Sequence, residues 1–256
     1  MRPALAVFES YLTVYRRTWR GSVLGSFVLP VLVMVGFGLG VGHFVDAGGR
    51  LGPVRYLDYI VPGQVAVTAF NQGSFESMWP VLSGFEWSRT YHSLAAAPLR
   101  IVDILGGDLL FIVFRLLTTS VVFLGIAAAF GAIHSPWAVA VPFVCALLGL
   151  AVATPVHALS ARMTSDSYFS LLLRFGLIPL GLFSGVYFPV TALPSALRLL
   201  AYLSPLWHAT EVCRAATLPG VPMSALTLAG HLGYIAVWLV VGFWLAVLAF
   251  RRKLVS

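Results

Sequence analysis

Residues 83–104 read SGFEWSRTYHSLAAAPLRIVDI, a polar island between two long apolar runs. The island holds Glu86, Arg89, His92, Arg100 and Asp103 in a chain whose charged residues amount to only 10%. A connection of this length is too long for a tight turn and too short for a domain. Connections beyond ~12–15 residues in compact proteins are usually functional or disordered. The run Ser-Leu-Ala-Ala-Ala at 93–97 favours helix, and Pro98 ends it. The stretch therefore predicts a short helix outside the membrane, placed to hand force or information to a partner.

Outward from the island, the chain reads as membrane. Hydrophobic residues make up 59% of its 256 residues, and the mean hydropathy is +0.93. A soluble domain carries ~45–50% apolar and ~25% charged residues. The apolar runs are continuous and near bilayer length rather than alternating, which predicts helices and not a barrel. The net charge of +7 belongs to topology and surface anchoring, since no soluble basic domain exists to bind nucleic acid. Cys145 and Cys213 lie far apart in the sequence, lack metal-ligand spacing, and permit no inference of a bridge. The first apolar run is long and follows an amphipathic segment, unlike a cleavable signal peptide.

Residues 1–20 are expected to form an interfacial helix rather than a span. Leu5, Phe8, Leu12, Tyr15 and Trp19 recur at helical spacing, and Arg16, Arg17 and Arg20 crowd its end. Six spans are predicted, at 21–45, 57–82, 104–130, 137–160, 168–188 and 229–250. Between the fifth and sixth, residues 189–228 hold two apolar pieces, 193–203 and 206–218. Both are too short to cross ~30 Å of hydrocarbon and read as re-entrant or interfacial helices. With the N-terminus inside, the inner segments carry Arg2, Arg16, Arg17, Arg20, Arg89, Arg100, Arg162, Arg251, Arg252 and Lys253. The outer segments carry only Arg50, Arg55, Arg198 and Arg214. That imbalance predicts both termini in the cytoplasm.

Lys253 is the only lysine, and Leu254 follows it. A phosphate-binding loop needs Gly-Lys-Ser/Thr to reach the outer phosphates and magnesium, so this chain has none. Glu76, Asp108, Arg115 and Arg174 lie within apolar runs, where a central charge costs ~2.5–3.5 kcal/mol on insertion scales. They line a path or pair structurally. Asp108 and Arg115, seven apart on one helix face, suggest one polar track. Asn71 and Gln72 lie midway along the second run, where such side chains line a path or glue helices. His208 and Glu211 reverse the Glu-x-x-His order of di-iron bundles, so no metal site is expected. No nucleophile-elbow or His-Glu-x-x-His pattern gives hydrolysis a home.

Three runs carry a family resemblance: YLDYIVPGQVAVTAFNQGSFES at 56–77, RTYHSLAAAPLRIVDILGGDLL at 89–110 and LSPLWHATEVCRA at 203–215. The chain resembles type-2 ABC transporter permeases over nearly its whole length. The resemblance is nearest the branch of nodulation-factor exporter (NodJ-like) and daunorubicin-resistance permeases. It implies an all-α polytopic membrane subunit of six spans with an N-terminal interfacial helix over 5–20. It also implies a cytoplasmic coupling helix over 87–97 and short re-entrant helices before the sixth span. Two permease halves would pair with two ATP-binding cassette subunits, which hold the ATP and magnesium, so this chain binds no cofactor and catalyses nothing alone. Candidate ATPase contacts are Arg16, Arg17, Glu86, Arg89, His92, Leu94, Pro98 and Arg100. Candidate path residues are Phe70, Asn71, Gln72, Phe75, Glu76, Phe183 and Tyr187. The extracytoplasmic signature maps to Pro205, His208, Glu211 and Arg214. Export of an amphipathic, lipid-linked, glycan or drug-like substrate across the inner membrane is the expected activity. The alternatives are an ion-coupled transporter and a membrane enzyme on lipid-linked sugars using Glu76, Asp108 and His208.

Overall fold

The computed structural model describes residues 3–49, 54–221 and 223–255. Arg2 and Arg50, two members of the charge tally, lie outside the described residues. Helix accounts for 84% of the structure, and no strand occurs among the described residues. The helices are α1 (Pro3–Val33), continued by π-helical turns (Met34–Val41) and α2 (Gly42–Ala47), then α3 (Tyr56–Glu86) and α4 (Thr90–Ala96). They continue as α5 (Ile101–Ala129), α6 (Val141–Ser160) after a 3₁₀ turn (Pro136–Ala140), α7 (Ser167–Leu172), π-helical turns (Leu173–Leu177) and α8 (Ile178–Phe183). After a second 3₁₀ turn (Val190–Ala192) come α9 (Ser195–Leu203), α10 (Pro205–Thr217) and α11 (Ala225–Val255).

Among the described residues, four helical stretches are long and apolar enough to cross a membrane: Pro30–Ala47, Ile101–Ala129, Pro136–Ser160 and Ala225–Val255. The other two expected spans differ for physical reasons. α3 has 31 residues but is diluted by Asp58, Gln64, Asn71, Gln72, Glu76 and Glu86. The expected fifth span ends at Phe183, five residues early, because Ser184–Phe188 bend away and Gly185 takes φ +76°. It is interrupted by π-helical turns and reaches only Ser167–Phe183.

The expected break at residue 20 is absent. Gly21 alone cannot stop a helix, so α1 runs unbroken from Pro3 to Val33. Its first turns run alongside α5 in parallel register. Val7 packs on Gly107, Tyr11 stacks on Phe111 at 5.6 Å, and Phe8 and Tyr15 meet Phe114 edge-on. Val7 is thus buried and Phe8, Tyr11, Leu12 and Tyr15 half-buried, while Leu5 and Trp19 of the anticipated stripe are exposed.

α6 is the central helix, packed by α3, α5, α10 and α11. Close approach is carried by small residues, as expected where lipid removes any hydrophobic drive between helices. A Cβ on Gly73 of α3 would run into the backbone of Gly149 on α6, and one on Gly242 of α11 would strike Thr154 and Pro155. Thr154 repays the contact by hydrogen-bonding Leu150 O at 3.1 Å and Leu239 O at 3.4 Å across to α11. Overpacking against backbone costs ~1–3 kcal/mol or more. Gly73→Leu should therefore lower the melting temperature in detergent, followed by tryptophan fluorescence. Gly125→Leu, at a glycine with open space around it, should leave it unchanged.

Candidate functional site

α3 ends where its backbone turns on Ser83: the Trp87 and Ser88 amides both donate to Ser83 O, at 3.1 and 2.8 Å. Arg89 then adopts φ 51°, the one left-handed non-glycine among the described residues. That conformation costs ~1–2 kcal/mol for an L-residue, so the fold is overdetermined here. α4 follows over Thr90–Ala96, three residues shorter at its start than the expected 87–97 because Trp87–Arg89 make the corner. Pro98 keeps Ala97 extended, and α5 starts with the Arg100 amide donating to Asp103 Oδ2 at 3.1 Å.

One side chain pins this short helix. Tyr91 is 2% exposed and donates its hydroxyl to Asp108 Oδ2 of α5 at 2.6 Å. His157 Nε2 of α6 meets the same oxygen at 3.1 Å. His157 Nδ1 lies 2.9 Å from Ala153 O, an acceptor to which Nδ1–H donates. Burial and the adjacent Asp108 push the Tyr91 hydroxyl well up, so it remains a donor. The Tyr91 ring is held between Phe85 of α3 at 4.7 Å and Phe250 of α11 at 5.1 Å. Gly84 is required here, because a Cβ would strike that ring. Tyr11 of α1 lies beside Tyr91 as well. Nearby, Lys253 Nζ donates to Glu86 Oε1 at 2.5 Å and to Met163 O at 3.0 Å.

The expected partner-contact residues divide. Arg16, Arg17, Arg89, His92, Pro98 and Arg100 are exposed, Leu94 is half-buried, and Glu86 is committed to Lys253. The expected path residues do not form one group. Phe70 is 1% exposed and belongs to the core. Asn71, Gln72, Phe75 and Glu76 share a partly open face of α3, where Gln72 Nε2 donates to Glu76 Oε1 at 2.9 Å and Arg115 Nε pairs with it at 3.1 Å. Phe183 and Tyr187 sit near the start of α3, where Tyr56 donates to Tyr187 O at 3.4 Å. Asn71 is fifteen residues further along, about 22 Å of helix. The expected Asp108–Arg115 track is also absent: Asp108 turns to Tyr91 and His157, and Arg115 to Glu76 and the face of Tyr15 at 5.2 Å.

The signature residues gather at the opposite end. Pro205 is the first residue of α10, capped by Ser204 Oγ accepting from Leu206 N at 3.2 Å. Arg214 is buried, bonds to Glu211 at 2.6 Å and to Gly185 O at 2.9 Å, and lies 4.1 Å over the Tyr59 ring. Together with Trp207 and Tyr202 these residues border a cavity of about 260 Å³. His208 takes other hydrogen-bond partners than Glu211. Its Nε2 donates to Tyr202 O at 3.0 Å, and its Nδ1 accepts from His231 Nδ1 of α11 at 2.8 Å. Glu76, Asp108 and His208 therefore do not converge: His231 and Phe250, which mark the two ends, are nineteen residues apart on α11, about 28 Å. Tyr91, His157, Phe250 and His231 escaped the sequence reading, because each is a lone aromatic or histidine in an apolar run and only contact reveals it.

The family model for ABC-2 type transporters matches residues 5–218. Nodulation protein J of Sinorhizobium fredii NGR234 is 28% identical over 252 residues, covering 98% of this chain and 94% of that protein. Nodulation protein J of Rhizobium leguminosarum bv. trifolii is 28% identical over 253 residues, covering 98% and 93%. The Bradyrhizobium diazoefficiens protein of the same name is 26% identical over 253 residues, covering 97% and 93%.

Removing the Tyr91 hydroxyl leaves Asp108 short of a donor, a loss of ~1–3 kcal/mol for a buried group. Tyr91→Phe should accordingly melt lower than wild type, and a Phe85→Leu variant carrying it should not restore the loss. At the other end, burial and then the neighbouring His231 hold His208 below its ordinary value, with the Tyr202 carbonyl opposing. Its stabilising contribution is complete above the unfolded value of about 6.5 and falls as pH drops through the folded value. Tyr234, Trp207, Glu211 and His231 face it, and none removes that sign. Melting measured from pH 8 to 5 should fall in wild type and fall less steeply in His208→Phe.

Proposed function

The chain belongs to the ABC-2 type transporter family, and from that premise we propose that it is the permease half of an ATP-driven exporter. It is the multi-pass membrane component of an ABC transporter, and partnership with an ATP-binding cassette subunit comes with the family. Our finer reading has six spans, both termini in the cytoplasm, two permease halves and two ATPase subunits. In it α3, shielded by α6 and α5, and the short Ser167–Phe183 stretch both cross the membrane. ATP and magnesium reside on the partner, in keeping with a single lysine that no Gly-Lys-Ser/Thr loop surrounds.

The observation that carries the reading is α4 itself. It and its flanks present Arg89, His92, Pro98 and Arg100 to solvent, while its one buried residue, Tyr91, is bonded to Asp108 of α5, which also meets His157 of α6, and packs on Phe250 of α11. A helix exposed on one face and bolted on the other to α5, with α3 and α11 packed on the same ring, is built to transmit a push. Arg16, Arg17 and Arg20 offer a second exposed basic surface on α1, suited to the partner or to anionic lipid. The cargo is amphipathic, which fits the Asn71–Gln72–Phe75 face of α3. It also fits an apolar cavity of about 230 Å³ lined by Phe70, Val152, Leu172, Leu180 and Trp238.

Affinity purification of the tagged chain in mild detergent, with mass spectrometry and an ATPase assay, tests this directly. A stoichiometric subunit bearing a phosphate-binding loop should co-purify and turn over ATP. Recovery of the chain alone would sink the proposal. Arg89→Glu combined with Arg100→Glu should abolish co-purification of that subunit with little change in melting temperature, because both side chains are exposed.

A further inference from the structure

Two imidazoles join α10 to α11. His208 Nδ1 and His231 Nδ1 lie 2.8 Å apart, and His208 Nε2 lies 3.0 Å from Tyr202 O. One turn along α11, the Tyr234 hydroxyl donates to Leu203 O at 2.7 Å. The elbow between α9 and α10 is thus held to the start of α11 by one phenol and one imidazole contact. The Tyr202 carbonyl only accepts, so His208 Nε2 carries a proton and the neutral ring keeps its lone pair at Nδ1. The bridge therefore needs one proton between the two Nδ1 atoms, and His231 supplies it.

One added proton leaves the bridge intact wherever it lands. On His231 Nε2 it makes a charged donor of that ring. On His208 Nδ1 it makes His208 the donor, and His231 shifts its own proton to Nε2 and accepts. A second added proton has no such place. Both Nδ1 atoms then carry hydrogen, aimed at each other across 2.8 Å between two cations. The neighbours do not remove that conflict. From α11 the Tyr234 ring, stacked at 4.1 Å, favours charge on His208. From α9 Tyr202 offers its carbonyl, and from α10 the carboxylate of Glu211, held by Arg214, faces His231. None of them puts a lone pair between the two rings.

We propose that the His208–His231 bridge is a two-proton latch on the outer end of the exporter, closed at neutral pH and released by acid outside the cell. The inference rests on the orientation adopted under Proposed function, which places this end outside the cytoplasm. Burial holds His208 below its ordinary value of about 6.5. The closed state is therefore stable above that value and is lost as pH falls through the folded one. Two protons make the release steep: the ratio of open to closed changes by up to ~100-fold per pH unit, against ~tenfold for a single group. Release frees the start of α11 from α10. It also frees Trp207, which packs on His231 at 5.3 Å and borders the outer cavity of about 260 Å³.

Hydrogen–deuterium exchange of the purified full chain in detergent, followed by mass spectrometry, reads local opening of this kind. Exchange is measured at pH 8 and pH 5, with labelling times scaled to cancel the pH dependence of intrinsic exchange. In wild type, peptides covering 201–210 and 225–235 should lose ~tenfold or more of their protection at pH 5, while those of α6 keep theirs. His231→Gln should stay protected at both pH values, because its amide turns N–H to a neutral His208 or its carbonyl to a charged one. Glu211 and every other group still titrate in that variant, so its flat response assigns the change to the pair. His208→Phe, which has no bridge, should exchange fast in the two peptides at both pH values. Unchanged protection in wild type, equal loss in His231→Gln, or loss that includes α6 would each overturn the latch. Sidedness is read separately. Ser195, exposed on the first turn of α9, is changed to Cys in a Cys145→Ala, Cys213→Ala background and treated with membrane-impermeant maleimide in intact cells. Labelling there with unchanged protection shows the orientation right and the latch wrong. Labelling only after permeabilisation shows that the orientation failed, and the sensing of outside acid with it.

Discussion

Asp108 is a carboxylate 8% exposed inside a helical bundle, and much of the inner architecture follows from keeping it satisfied. A buried charge without a partner costs several kcal/mol, whereas a paired and hydrogen-bonded one is tolerated. The solution draws donors from two different elements, the hydroxyl of Tyr91 on α4 and the imidazole of His157 on α6. Each donor in turn needs a seat. Tyr91 requires Gly84 beneath it and Phe85 and Phe250 at its sides, and His157 requires the Ala153 carbonyl and the flat face of Phe250 at 6.2 Å. A single acidic residue thus fixes the position of a surface helix to within a rotamer.

The bundle around that node is held by a different device. Where the surroundings are as apolar as the helices, side-chain burial gives no net drive to associate, and close backbone approach supplies the dispersion contacts instead. Gly73 against Gly149 joins α3 to α6, and Gly242 against Thr154 joins α11 to α6. These contacts are rigid because no side chain lies between the backbones to yield. The polar node sets where α4 sits, and the glycine contacts set what it sits upon.

Much of this was legible in the sequence, and the failures have specific causes. Apolar run length located α5, α6 and α11 to within a few residues, and the apolar piece at 206–218 fell within a residue of α10 at Pro205–Thr217. The short helices before the last span fell close to their expected places because each is bounded by proline or serine. The break at residue 20 was misread because an amphipathic stripe beside arginines looks the same whether the partner face is lipid or α5. Only the aromatic pairs with Phe111 and Phe114 decide it. Spacing of seven placed Asp108 and Arg115 on one face, but a helix face is wide enough to serve two neighbours, and each residue went to the nearer one. Tyr91 carried no signal at all: its importance lies in a partner seventeen residues away and another on a different helix.

α11 ties the two ends of the molecule together. Near one end it supplies Phe250 to the Tyr91 seat and Lys253 to Glu86. Near the other it supplies His231 to His208 and Tyr234, whose hydroxyl donates to Leu203 O at 2.7 Å. Its middle is pressed against α6 at Gly242 with no room for slippage. A displacement of α4 on the proposed reading cannot be absorbed locally, since Tyr91 is bonded, not merely packed. It must tilt α11 about the Gly242 contact or move α5 and α6 with it. Either motion reaches α10 through the histidine pair about 28 Å away along the helix. The face of α3 carrying Asn71, Gln72 and Phe75 is joined to the same frame, by Gly73 against Gly149 of α6, by Glu76 paired with Arg115 of α5, and by Phe85 and Glu86 at the helix end. A tilt of α5 or α6 on the proposed reading therefore reaches that face as well, because no soft side-chain layer separates α3 from α6 at Gly73.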